Sequence, residues 1–401
     1  MSAEMTSGEP ATRATLAEVA ALADVSISTV SKVLNGRGGV SDETRARIEA
    51  LLQNQQYNRR SPGPNHAPLI EVLCFEIASS WAAEAIAAIE RLAREHGVGV
   101  VVSGTNDRQK PDLDWIEGVL NRRPVGVILV ACNLLDAQQR QLRSRSIPFV
   151  MLDPTEQPAP DVPSIGSADW SGAYAATRHL IELGHREIAI ITGPEDMMAA
   201  TARLSGFRAA LEAARIPLHP QYVRRGEFHH SDGLTEGRAL LSMPVPPTAI
   251  FASSDVQALG VYEAARALGV AIPSELSVVG FDDLKIARWA GPALTTIRVP
   301  IAEMAEQAVQ VVLGLAQDRV PAFSRVDMAT TLVVRDSTDA PPYRARAHGE
   351  DQAEGGLRDE CGAPDARPDG RCRQLPHAEP NFEEIKFVDP AAREGGSVAD
   401  V

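Results

Sequence analysis

Ile27, Ser28, Thr29 and Lys32 stand within six positions of one another and offer an aliphatic surface, two hydroxyls and an ammonium. At the N-terminal end of an exposed helix, that set has the chemistry to read base edges in a major groove. Isoleucine can meet a thymine methyl, serine can bond several base edges, and lysine can reach guanine acceptors or a phosphate. Thr15, Ser26, Ser31, Asn35 and Arg45 flank the group. Their hydroxyl, amide and guanidinium groups suit phosphates, which fix register without carrying sequence information.

Other chemistries lack their motifs. No G-x-G-x-x-G, phosphate-loop, G-x-S-x-G or H-E-x-x-H pattern occurs, which argues against a dehydrogenase, an ATPase or a hydrolase. The doublet His229-His230 has no third ligand at a suitable spacing, so surface histidines are expected, and neither metal nor other cofactor. Cys74, Cys132, Cys361 and Cys372 are scattered without ligand spacing and read as free thiols.

The elements that position the first group are three short helices. Thr15-Leu16-Ala17-Glu18 has capping-box spacing, and Leu16, Val19, Ala20 and Ala23 share one face. Ser26 caps a second helix with Val30, Val33 and Leu34 inward, and Ser41 caps a third whose Ile48, Leu51 and Leu52 complete a small core. A helix-turn-helix domain is therefore expected over 14–60, after a disordered stretch 1–13. Ser61-Pro62-Gly63-Pro64-Asn65-His66-Ala67-Pro68 cannot continue a helix, because its prolines lack N–H donors and clash with the preceding turn; 61–68 is a linker.

From Leu69 onward short β-branched runs, at 69–75, 98–103, 125–131, 149–152, 188–192, 249–252 and 276–280, alternate with helical patterns at 84–95, 113–120, 173–183, 200–214, 257–268 and 302–315. Such alternation predicts parallel sheets covered by helices on both faces, with ligands at the carboxyl ends of strands. The number of elements suits two sheets. The fold class is thus an all-α headpiece plus an α/β core of two doubly wound lobes over 69–337. After it the composition turns to Asp, Glu, Gly, Pro and Arg, and 338–401 reads as a disordered tail.

The net charge of −14 stands against nucleic-acid binding only until its distribution is considered, since about half of the excess lies after Arg335. Between Ser26 and Arg60 the bias reverses: Lys32, Arg37, Arg45, Arg47, Arg59 and Arg60 outnumber Asp42, Glu43 and Glu49. No apolar run approaches a membrane span, and the first residues carry no secretory pattern, so a cytoplasmic protein with no membrane partner is expected.

The wording of the headpiece goes further. Thr15-Leu16-Ala17-Glu18-Val19-Ala20, Ala23-Asp24-Val25-Ser26-Ile27-Ser28-Thr29-Val30-Ser31-Lys32-Val33-Leu34-Asn35, Val40-Ser41 and Thr44-Arg45 closely resemble the headpiece of the lac repressor (LacI/GalR) family. The resemblance continues through Leu183-Gly184-His185-Arg186, Ser254-Asp255-Val256-Gln257-Ala258-Leu259-Gly260, Ser277-Val278-Val279-Gly280-Phe281-Asp282-Asp283 and Leu294-Thr295-Thr296-Ile297. It implies a homodimeric repressor on operator DNA, a core like that of periplasmic sugar-binding proteins, and a pocket between the lobes for a small effector, a sugar being the first expectation. One departure is the stretch Arg59 to Pro68, where the family has a hinge helix that kinks DNA. Here proline, glycine and His66 stand instead, so a conventional hinge helix is not expected.

By the same resemblance Arg203, Asp282 and Phe228 contact the effector. The guanidinium fork suits hydroxyls or a carboxylate, the carboxylate can accept from two hydroxyls, and the ring suits a sugar's C–H face. Ser79, Ser80, Trp81, Asn133, Asp153, Ser254 and Asp255 are secondary candidates. Trp81 and Phe228 read equally as core aromatics, and Asp153 and Asp255 as turn or capping residues. Rival readings are an exported solute-binding protein, which would carry no headpiece, and a doubly wound enzyme, whose motifs are missing.

Overall fold

The structure is a computed structural model and describes residues 16–34, 39–54, 68–105, 107, 111, 113–342 and 387–388. The expectations for 1–13, Thr15, Asn35, the hinge stretch up to Ala67 and most of 338–401 fall outside the described residues.

The headpiece consists of α1 (Leu16–Leu22), α2 (Ile27–Leu34) and α3 (Asp42–Asn54). Their apolar sides close on Val19, Ala20, Ala23, Val30, Val33, Ile48 and Leu52, side chains small enough for short helices to meet closely. In the turn after α1, Asp24 takes φ 50°, a left-handed conformation that Asp accepts better than most residues. Ser26 caps α2, its Oγ accepting the Thr29 N–H at 3.1 Å, and Ser41 caps α3, accepting the Thr44 N–H at 3.3 Å. Losing such a cap typically costs about 1 kcal/mol.

The first lobe alternates β1 (Leu69–Phe75), α4 (Ser80–Glu95), β2 (Gly99–Thr105), α5 (Leu113–Arg122), β3 (Gly126–Val130), α6 (Asp136–Arg143), β4 (Phe149–Leu152) and β5 (Ser164–Ser167). The second contains α7 (Asp169–Glu182), β6 (Ile188–Ile191), α8 (Met198–Ala213), β7 (Val223–Arg224), α9 (His230–Leu241), β8 (Ala249–Ala252), α10 (Asp255–Leu268), β9 (Ser277–Asp282), α11 (Lys285–Trp289) and β10 (Thr295–Arg298). The chain then returns to the first lobe with α12 (Ile301–Leu315), β11 (Val320–Pro321) and β12 (Arg325–Met328), and crosses back for β13 (Thr331–Val333). The sheets run β12-β5-β4-β3-β1-β2 and β13-β10-β9-β8-β6-β7, parallel throughout except for β13. Helices cover both faces, so β3 and β4 are buried along their whole length, which explains their unbroken apolar runs.

Three helices (α6, α9 and α11) and five strands of the two sheets (β5, β7, β10, β12 and β13) go beyond the elements expected from periodicity. The glycines in α9 lower its intrinsic helicity, yet packing requires at least one of them. A Cβ on Gly233 would stand 2.0 Å from the Gln257 carbonyl oxygen, and one on Gly260 of α10 would stand 2.1 Å from that of His230. The two helices therefore meet backbone to backbone.

The Gly184-His185 pair closes the base of the second lobe. Gly184 turns the chain out of α7 at φ 106°. Buried His185 then lies 2.9 Å from Thr248 Oγ1, 3.0 Å from Ser277 Oγ and 2.9 Å from the Asp339 carbonyl oxygen. Burial pushes its pKa down, so it serves as a neutral clamp between strand ends. Thr338 and Asp339 thus belong to the folded core, which runs past the expected boundary at 337.

Candidate functional site

On α2, Ile27, Ser28 and Lys32 are exposed, and the Ile27 side chain is 53% accessible. Thr29, Ser31 and Arg45 are half-buried. At ~100° per residue, Ile27, Ser31, Ser28 and Lys32 share an arc of about 140°, turned away from Val30 and Val33. An aliphatic, two hydroxyls and an ammonium therefore occupy one face of a helix that begins at an exposed cap. Ser26 differs from expectation: its hydroxyl is engaged by the Thr29 N–H and stands 2.7 Å from Ser28 Oγ and 2.8 Å from Thr29 Oγ1, so shaping the helix start is its first role.

Between the lobes lies a cleft of about 470 Å³. Phe75 at the end of β1, the residues that follow it into α4 (Glu76, Ser79, Ser80, Trp81) and Asp153 after β4 form one wall. Arg203, Phe228, Ser254 and Asp282 form the other. Eight of the ten effector candidates, Arg203, Asp282 and Phe228 together with Ser79, Ser80, Trp81, Asp153 and Ser254, thus line one cavity. Asn133 is buried and is not part of that lining, in which Ala131 stands instead; Asp255 is also absent from it.

Arg203 is the buried centre of the site. Its Nε donates to Asp169 Oδ1 at 2.7 Å, its Nη1 donates to the Ser253 carbonyl oxygen at 2.5 Å, and its Nη2 lies 3.6 Å from Asp282 Oδ1. The guanidinium carbon sits 3.8 Å from the Phe281 ring centroid and 5.5 Å from that of Phe228. Desolvation works against its charge, but Asp169, Asp282 and Asp153 together outweigh it and hold the pKa above the usual arginine value. Most of the fork is committed within the protein, so the effector meets an assembled Arg–Asp cluster. Asp169 could not be singled out in the sequence: it reads as an ordinary acidic residue in a helix's first turn.

Asp282 Oδ1 is buried and has no hydrogen-bond partner among the described residues. Burial, only partly offset by Arg203, pushes its pKa well up, and the same cause raises Asp153 to about 7. At Asp282 φ is 111°, a rare conformation for a residue with a side chain. The loop is over-determined: Asp255 accepts the Leu284 N–H at 2.7 Å and the Thr296 hydroxyl at 2.5 Å, and Asp283 pairs with Arg298 at 2.8 Å and with Arg335. Asp255 is therefore a positioning residue outside the cleft lining.

Phe228 is held at φ 66° by similar means. Asp232 Oδ2 accepts the N–H groups of Glu227 (2.6 Å) and His229 (3.0 Å), while the Ser254 hydroxyl donates to the Phe228 carbonyl at 3.1 Å. Ser254 also caps α10, so its role is to hold the loop. The Phe228 ring lies on Gly193, where a Cβ would come within 2.0 Å of it. His229 and His230, expected as plain surface residues, line the cleft. His229 Nε2 reaches across the lobes to within 3.1 Å of both Glu76 carboxylate oxygens. Cys74 and Cys132 are buried free thiols whose pKa burial raises, so neither is poised to react. Among the described residues no cluster of three His, Cys, Asp or Glu side chains could hold a metal, and no helix is long and apolar enough to cross a membrane.

An exposed helix face bearing an aliphatic, hydroxyls and an ammonium, together with a two-lobed core around a cleft, fits the class of ligand-responsive DNA-binding regulators. Comparisons with known proteins agree: residues 15–60 match the bacterial regulatory proteins of the lacI family, and residues 177–338 match the periplasmic binding protein-like domain. The HTH-type transcriptional repressor CytR of Escherichia coli (strain K12) is 32% identical over 337 residues, covering 82% of this chain and 98% of that protein. The HTH-type transcriptional repressor PurR of Escherichia coli O139:H28 is 30% identical with the same coverage. Among solved structures, the transcriptional regulator CelR–cellobiose complex superposes with a TM-score of 0.62 at 29% identity, over 81% of this chain and all of that one. The lac repressor dimer bound to operator and the anti-inducer ONPF gives 0.60 at 28%, over 82% and 100%. The chain belongs to the LacI family and is a DNA-binding transcription regulator under small-molecule control.

Proposed function

We propose that the protein is a homodimeric repressor acting in the cytoplasm, whose grip on operator DNA is set by a sugar or oligosaccharide in the interlobe cleft. In this reading Ile27, Ser28, Thr29 and Lys32 read bases, and Thr15, Ser26, Ser31, Asn35 and Arg45 address the phosphate backbone. Arg203, Asp282, Phe228, Trp81 and Ser80 contact the effector, with Ser254 holding the loop beneath it. No catalytic step is assigned.

The buried Oδ1 of Asp282, ion-paired with Arg203 at 3.6 Å but without a hydrogen bond among the described residues, in the lining of a cleft walled by Trp81, Phe75 and Phe228, carries the sugar reading. A pyranose offers hydroxyl donors for the first and a flat C–H face for the second. The CelR–cellobiose complex, a relative with a sugar bound, supports the same reading. Trp289 on α11 is 76% exposed, and a large aromatic so placed suits the contact between two copies.

Control then follows from lobe geometry. The chain crosses between lobes three times, after β5, β10 and β12, and the Met198 N–H donates to the Thr155 carbonyl across the hinge at 2.9 Å. Glu76 and His229, 3.1 Å apart, link the two walls of the cleft. A ligand that touches both walls favours one closure state and shifts operator affinity by its differential affinity for the two, typically about 5- to 150-fold. Selection of operators from random duplexes, followed by thermal-shift screening with saccharides, tests the proposal. A preferred duplex whose affinity changes with one sugar is expected. No duplex preference, with or without sugars, would refute it.

A further inference from the structure

A second cavity, of about 260 Å³, lies against the hinge and shares Asp153 and Ala199 with the effector cleft. Its wall is formed by Trp170 and Ser171 of the second lobe and by Ser167, Arg325 and Asp327 of the first. Trp170, in the first turn of α7, is 44% exposed although it is a large aromatic. Its ring is braced by a stack on Tyr174, with centroids 5.3 Å apart and planes 17° from parallel. Arg325 faces Asp327 through contacts of 2.8 Å from Nη2 and 3.1 Å from Nε to the same carboxylate oxygen.

A braced indole beside a planar Arg–Asp pair and serine hydroxyls matches the demands of a sugar ring, an apolar face with polar groups around its edge. The other charges in the lining, Asp153 and Asp169, are acidic, which disfavours a phosphorylated or carboxylated ligand. Asp169 is already bonded to Arg203, so the cavity has Asp153 and Arg325 as its means of communicating with the cleft and the hinge. Nothing in the control mechanism above uses Trp170 or Arg325.

We propose that the cleft continues past Asp153 into a second saccharide subsite built on Trp170 and Arg325, so that the effector is a neutral saccharide of two or more rings. This rests on the reading of the cleft as a sugar site and adds a length requirement to it. Because Trp170 and Arg325 belong to different lobes, a ring seated there fastens both lobes next to the crossovers.

Calorimetric titration of the full chain with gluco-, xylo-, manno- and malto-oligosaccharides of one to four rings tests this. In a series that binds, affinity should rise by about three- to ten-fold on adding the ring that reaches Trp170, the worth of one good aromatic contact. Trp170→Ala should erase that step and leave shorter members unchanged, Trp170→Phe should keep it, and one molecule should bind per chain. A flat series, equal weakening of every length by Trp170→Ala, or two monosaccharides per chain would overturn the subsite while leaving the sugar reading intact. If no series binds although operator binding is intact, the sugar reading falls and the subsite with it.

Discussion

Replacing Asp153 by Asn should make the core more stable, and increasingly so as pH rises. Asp153 is buried where desolvation and the Asp169 charge outweigh the attraction of Arg203 and Arg325, so its pKa stands at about 7 instead of 3.8. The folded state therefore keeps a proton that the unfolded chain releases above pH 3.8. Stability falls as pH rises from there towards 7 and levels off above it. At ~1.4 kcal/mol per pH unit the full cost is about 4 kcal/mol, of which about 2–3 kcal/mol develops between pH 5 and 8. Asparagine has nearly the same shape, cannot ionise, and tolerates the observed φ of 53°, so the substitution removes the charge without adding backbone strain. Denaturant unfolding of wild type and Asp153→Asn at fixed protein concentration from pH 5 to 8.5 measures the difference. Asp255, whose pKa is also about 7, contributes to both profiles, and Asp282, whose pKa the Asp153 charge helps to raise, adds to the difference in the same direction. The reasoning would be refuted by parallel profiles, or by a variant that loses ground as pH rises.

Three further outcomes are expected. Lys32→Ala should weaken operator binding, lower the magnitude of the salt-dependence slope by about 1 if the contact is to phosphate, and leave effector affinity unchanged; gel-shift titrations across salt concentrations and calorimetry check the two halves. Arg203→Ala should abolish the effector response and destabilise the core by about 3–5 kcal/mol, because Asp169 and Asp282 stay buried without their cation; operator binding by the unliganded protein at low temperature should survive. Gly193→Ala should push the Phe228 ring off its seat, since the added Cβ would lie 2.0 Å from it, and weaken effector binding more than stability; paired thermal-shift and calorimetric measurements separate the two.

Much of this protein was legible in the chain itself. The headpiece could be read because its information is local: caps at Ser26 and Ser41 and an apolar face at helical spacing specify three helices without reference to anything distant. The parallel strands could be read because burial on both faces leaves continuous branched runs such as those of β3 and β4. By contrast, α9 was illegible, since its glycines lower helix propensity and have their reason only in the contact with α10. Short edge elements such as β7 and β13 take their pairing from neighbours, with too few residues to show a period.

The same division runs through the sites. Residue types and spacing alone pointed to one helix end as the place for base-reading groups, and the resemblance of the motifs to a known family pointed to Arg203, Asp282 and Phe228. Only the tertiary structure decided that Asn133 stays out of the cleft lining, that Asp169 occupies the arginine's fork, that His229 bridges to Glu76, and that Trp170 lines a second cavity that shares Asp153 with the cleft. The Asp169–Arg203 and Glu76–His229 contacts join residues 34 and 153 positions apart. Distances over such separations are set by how two sheets and their crossovers settle against each other, and no local pattern encodes that.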